Sequence, residues 1–142
     1  MFSKLLIASG LMALSLVIHA SGLSSALRVL RSTTTTAYRF WSGLRLFICL
    51  AAWIIFLHLL EIATWAWLYV WTGAMADVHS ALYFSAVTYT TTGYGDLVLP
   101  EAWRLVGAIE ALTGILMCGW STGFFFAIVS RMLYTDGRAG ER

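Results

Sequence analysis

Apolar residues fall in three long runs along the chain, from about Leu5 to Leu27, about Leu46 to Trp71 and about Ala102 to Leu133. Each meets the length of about 20 residues that a helix needs to cross the hydrocarbon layer of a bilayer. Between the second and third runs lies a stretch of about 30 residues, 72–101, too polar to span. Inside it, an amphipathic segment of helix length runs from about Val78 to Thr91, with Asp77 or Ser80 placed to start it. The pattern predicts an all-α membrane protein with a re-entrant loop between its second and third spanning helices. Irregular backbone at membrane depth is tolerated only under protein or around water, so helices must enclose that loop.

Composition agrees with this pattern: 60% of residues are hydrophobic and 11% charged, with a mean hydropathy of +0.80. A soluble domain would have about 25% charged residues. Charge also orients the chain. Arg28, Arg31, Arg39 and Arg45 lie in or beside the first inter-helix loop with no acid among them, which makes that loop cytoplasmic. The re-entrant loop and the N-terminus with Lys4 then face outside, and Arg131, Arg138 and Arg142 face the cytoplasm. Residues 1–20 resemble a signal peptide ending near His19-Ala20-Ser21-Gly22, but cleavage would invert this arrangement, so the first helix is expected to stay. The threonines at 33–36 read as a polar linker, and no cytosolic domain is expected after Leu133. No segment repeats arginine at every third position, as a voltage sensor would. Cys49 and Cys118 lie within spanning helices, where neither a disulfide nor a metal site is expected; Cys49 is taken as buried.

The chemistry of the chain is concentrated in Thr90-Thr91-Thr92-Gly93-Tyr94-Gly95-Asp96. A K⁺ ion stripped of water needs stacked rings of oxygen ligands, and backbone carbonyls supply them if several successive residues point the same way. Gly93 and Gly95 reach positive φ at little cost, which lets carbonyls of alternating backbone hand face one axis. Thr91 can add its hydroxyl, and Asp96 caps the outer mouth. This run, after a pore-helix segment and between two spanning helices, resembles the potassium-channel pore family over about Leu44–Leu133.

The resemblance implies the potassium-channel pore fold of outer helix (about 46–71), pore helix (about 78–91), filter (91–96) and inner helix (about 102–133). Residues 44–142 would form the pore domain, and 1–43 an additional N-terminal spanning helix and cytoplasmic loop. One filter copy without an internal repeat supplies a quarter of a ring, so a homotetramer is expected. K⁺ would be coordinated by Thr91, Thr92, Gly93, Tyr94 and Gly95, with Asp96, Tyr83, Phe84 and Thr88 supporting the filter. Gly114 resembles the inner-helix hinge of the family, though close helix packing explains it equally well. Below it, Ile115, Cys118, Thr122 and Phe126 form a stripe at helical spacing that matches the family's cavity-lining positions, with Phe126 at the inner mouth. Two departures stand out: Thr92 replaces the common valine, and Val87 replaces the glutamate that pairs with the filter aspartate in some members.

Glu61 and Glu110 are acids inside spanning helices, level with the pore helix, and neutral hydrogen-bonded packing is favoured over a gating or ion-attracting role. For Glu110 the candidate partners are Thr88 and Tyr89, or His58 and Glu61. No enzyme constellation is present. The expected function is downhill K⁺ flux across a plasma membrane, of the bacterial inner-membrane type, with K⁺ as the sole metal, no cofactor, lipids as surroundings and no nucleic-acid partner. A nonselective cation channel and a nonconducting accessory subunit are the alternatives.

Overall fold

In the computed structural model, which describes residues 2–33 and 40–139, the chain is helical throughout its regular structure. Four α-helices follow in order: α1 (Phe2–Thr33), α2 (Phe40–Trp71), α3 (Val78–Tyr89) and α4 (Arg104–Ala139), the last preceded by a 3₁₀ turn at Glu101–Trp103. Helices α1, α2 and α4 are long and apolar enough to cross a membrane, and α3 is not. All three run past their apolar runs, because the hydrogen-bond ladder of a helix continues into polar flanks. The 34–36 part of the expected linker, Arg39 and Arg142 lie outside the described residues.

Local chemistry sets the turns between helices. After α2, Gly73 takes φ 68° and its N–H bonds the Val70 carbonyl at 3.0 Å, the left-handed ending that glycine permits. Asp77 then caps α3, accepting the Ser80 N–H at 2.8 Å. That hydrogen bond to the carboxylate holds the Asp77 carboxyl below its ordinary range. Pro100 precedes the 3₁₀ turn and accepts the Trp103 N–H at 2.8 Å, where its own missing N–H leaves no bond unmade.

Helix α3 packs between α2 and α4, and α1 lies along α4 and α2. The core is built from Trp65, Tyr69, Phe84, Tyr89, Val106 and Met117, with Tyr69 and Phe84 meeting edge to face at 5.4 Å. Lys4 stands over the Trp103 ring, 4.3 Å from its centroid, so the start of α1 sits at the same end of the molecule as the start of α4. Lower down, Gly22 leaves room for Leu57, and the Trp53 indole donates to the Gly22 carbonyl at 3.0 Å.

Candidate ion-conduction site

The pore helix ends two residues earlier than its pattern predicts. Thr90 is its C-cap, with its N–H on the Ala86 carbonyl at 3.1 Å and its hydroxyl on the same carbonyl at 2.7 Å. Thr91 then turns to φ 59°, which is why the helix cannot continue to it. The Thr91 N–H bonds the Thr88 carbonyl at 2.9 Å, and the Gly93 N–H bonds the Val87 carbonyl at 3.0 Å. These bonds occupy the last carbonyls of α3 and hold the following strand against the helix end.

Positive φ recurs at alternate residues: 59° at Thr91, 50° at Gly93 and 78° at Gly95. Residues that alternate backbone hand turn successive carbonyls to the same side, where an ordinary strand would alternate them. Thr91 is the informative position, because a β-branched residue with positive φ is held there against an intrinsic cost of roughly 1–3 kcal/mol. The Thr92 hydroxyl lies 2.9 Å from that of Thr90. At the far end of the stretch, the Tyr83 hydroxyl donates to Asp96 Oδ2 at 2.6 Å and the Leu97 N–H to Asp96 Oδ1 at 3.0 Å. The Tyr83 bond stabilises the charged carboxylate, so it holds the Asp96 carboxyl below and the Tyr83 hydroxyl above their ordinary ranges.

Residues 91–98 are exposed in the single chain, with Tyr94 72% accessible. Ile115, Cys118, Thr122 and Phe126 share one exposed stripe of α4. Cys49, expected to be buried, is also exposed, because α2 turns that side away from the other helices of the chain. Of the residues expected to support this stretch, Phe84 is buried and Thr88 half-buried. Gly114 sits where α4 runs against the end of α3: a Cβ there would fall on the Tyr89 carbonyl. Helix α4 continues through it without interruption.

The two membrane acids belong to separate clusters, and the expected partners of Glu110 are corrected. Its oxygens meet the Tyr69 hydroxyl at 2.6 Å and the Ser85 hydroxyl at 2.5 Å, and not Thr88, Tyr89, His58 or Glu61. Those two residues point inward from α2 and α3 at the level where Glu110 of α4 faces them; the rotation of the helices about their axes decided this. Ser85 Oγ also lies 2.9 Å from the Ile62 carbonyl. One hydroxyl has one proton, so a carboxylic acid that donates to Ser85, while Ser85 donates to Ile62 and Tyr69 to Glu110, leaves every atom satisfied. Glu110→Gln keeps that donor and acceptor set, and its thermal midpoint in detergent should stay within a few degrees of the parent. Glu110→Leu strands the buried Tyr69 hydroxyl at about 1–3 kcal/mol and leaves Ser85 with the Ile62 carbonyl alone, so it should unfold earlier than the parent. Equal destabilisation by both substitutions would show that the carboxylate acts as a charge.

Glu61 meets the Tyr89 hydroxyl, and its other oxygen lies 2.9 Å from Nδ1 of His19. Sequence reasoning assigned no role to His19, Tyr69, Ser85 or Ser121. The available signal was that each is a polar group in an apolar helical stretch, which in a bilayer requires a partner.

Comparison with known proteins adds to this geometry. The family model described as "Ion channel" matches residues 55–131, more than half of the 142-residue chain. The potassium voltage-gated channel protein Shal of Drosophila melanogaster is 34% identical over 68 residues, covering 46% of this chain and 12% of that protein. No solved structure matches. A short helix between two long apolar ones, a following stretch of alternating backbone hand and the family match lead to one placement: the chain is a multi-pass membrane protein of the ion-channel family, built on the potassium-channel type of pore module with an additional N-terminal helix.

Proposed function

We propose that this chain is the protomer of a homotetrameric K⁺-selective channel that passes K⁺ down its electrochemical gradient. The observation that carries the proposal is the alternation of positive φ at Thr91, Gly93 and Gly95 on a strand left exposed in the protomer. Such a strand at membrane depth needs cover, and four of them around an axis cover one another while presenting rings of carbonyls from Thr91, Thr92, Gly93 and Tyr94 to the ion. The C-terminal end of α3 points its partial negative charge toward the same region, which favours a cation below the filter. The relative named for potassium supports the choice of ion, while its voltage gating does not carry over from a match covering 12% of its length. The Thr92 hydroxyl already has Thr90 as a neighbour at 2.9 Å, which favours selective over nonselective conduction.

Orientation follows from charge. Arg28 and Arg45 sit at the end of the molecule remote from Lys4 and Trp103, so the filter mouth and the N-terminus face outside a plasma membrane and the arginines face the cytoplasm. Flux of this kind needs no cofactor. Purified protein reconstituted into liposomes should pass K⁺ and exclude Na⁺ under matched gradients, and native mass spectrometry should find four chains. Equal K⁺ and Na⁺ flux would leave a nonselective channel. A stable dimer or trimer without flux would leave an accessory subunit.

A further inference from the structure

Beside the filter, five polar side chains from four helices close into a ring that conduction does not require. His19 Nδ1 of α1 lies 2.9 Å from Glu61 Oε1 of α2. Glu61 Oε2 accepts from the Tyr89 hydroxyl, at the last residue of α3. Tyr89 Oη lies 3.1 Å from His58 Nδ1, His58 Nε2 lies 3.2 Å from Ser121 Oγ of α4, and Ser121 Oγ lies 2.9 Å from His19 Nε2. His19 and Glu61 are wholly buried, and the side chain of His58 is 17% exposed.

Proton counting makes this ring specific. It contains five donor–acceptor contacts. Two neutral imidazoles, one phenol and one serine hydroxyl bring four protons, so with Glu61 as a carboxylate one contact must set acceptor against acceptor. A fifth proton removes the conflict. With Glu61 protonated, the bonds run from Glu61 to His19, His19 to Ser121, Ser121 to His58, His58 to Tyr89 and Tyr89 to Glu61, each with one donor and one acceptor. An imidazolium at His19 beside a Glu61 carboxylate has the same count. Either form is neutral overall, whereas the four-proton ring places an unbalanced negative charge in a buried site within the membrane-spanning part of the protein, at a cost of several kcal/mol.

We propose that this ring is a proton-binding site that fastens the additional N-terminal helix to the pore module, holding one proton beyond the two neutral imidazoles and the carboxylate. Release of that proton opposes two acceptors and loosens the junction of α1 with the end of the pore helix and with α4. Proton exchange runs through His58, the ring member with partial exposure. Cys118 and Glu110, both of α4, are the other titratable groups within electrostatic reach of Tyr89; Glu110 is engaged by Tyr69 and Ser85. The donor atoms of His19, His58 and Glu61 lie within 4.8 Å of one another, a spacing that invites comparison with a metal site. A metal would have to displace the ring's hydrogen bonds, while a proton completes them without movement.

The test is the thermal midpoint of the full chain in detergent from about pH 7 to 9.5, above the ordinary imidazole titration, using as parent a Glu110→Gln, Cys118→Ser protein that lacks the other two titratable groups beside the ring. There the unfolded chain binds neither extra proton, and the folded ring binds one. Stability of the parent therefore falls as pH rises, with a slope of about one proton, until the ring itself deprotonates. Glu61→Gln offers an amide N–H to His19 and a carbonyl to Tyr89, which closes the ring without the extra proton, so its slope should be flat. Glu61→Leu removes the carboxylate together with its two contacts and leaves no acid to hold the extra proton, so it too should be flat, which decides the matter if Glu61→Gln does not fold. The parent's slope persisting in either folded variant would overturn the proposal. So would Zn²⁺ raising the midpoint of metal-stripped parent but not of Glu61→Gln, since the ligand would then be a metal. The readout is stability, so it stands or falls independently of whether the chain conducts K⁺.

Discussion

Gly95→Ala and Gly93→Ala proteins should assemble and then fail to separate K⁺ from Na⁺, losing essentially all selective flux. Gly95 holds φ 78° and Gly93 φ 50°, where an alanine Cβ crowds its own carbonyl at a cost of roughly 1–2 kcal/mol per residue. Beyond the adjoining residues no atom lies within 4 Å of a Cβ built at either position, so nothing else in the chain clashes with the new methyl. The effect is therefore conformational: the chain relaxes toward negative φ and turns a carbonyl off the axis. In a tetramer this happens four times around one ring. Flux into liposomes under K⁺ and Na⁺ gradients measures selectivity, and the thermal midpoint measures folding. Unchanged K⁺ over Na⁺ selectivity in either variant would sink the carbonyl-filter reading.

Gly114→Ala should be the most damaging small substitution outside the filter. Its Cβ would fall on the carbonyl of Tyr89, a backbone group that also belongs to the residue bonded to Glu61 and His58. Relief requires α4 to move away from α3 or the end of the pore helix to shift, and either displaces the strand that begins two residues later. Overpacking of this kind costs about 1–3 kcal/mol. A lower midpoint together with lost flux is expected. Gly119→Ala and Gly123→Ala, with no atom within 4 Å in the protomer, should leave the midpoint unchanged or raise it slightly. If Gly114→Ala folds as stably as the parent but alters opening, the glycine acts as a hinge and the packing role is wrong.

These two glycine classes show how unevenly the site was legible. Positive φ at Gly93 and Gly95 could be anticipated because a residue without Cβ in that run has a local reason to be there. The same state at Thr91 could not: its own side chain opposes it, and the bonds from Thr91 and Gly93 back to the carbonyls of Thr88 and Val87 hold it. That is also why the pore helix stops at Tyr89, although the periodicity runs on to Thr91. For Gly114, hinge and packing were equally open until the Tyr89 carbonyl was found against it.

By itself the sequence determined the features that depend on neighbours a few residues away. These are three apolar runs long enough to span, a short helix beginning at Asp77 or Ser80, and glycines spaced for an alternating strand. Periodicity, capping and backbone freedom are local physics, so they can be read from a single chain. Only the tertiary structure decided which polar groups meet. Glu110 faces Tyr69 and Ser85, Glu61 joins His19 of a helix 42 residues away in sequence, and Ser121 bridges the two histidines. Those pairings depend on how far each helix rotates about its own axis and how the helices cross. A helix in lipid is apolar on nearly every side, so its hydrophobic pattern barely constrains that rotation, and burying the few polar groups against one another sets it instead.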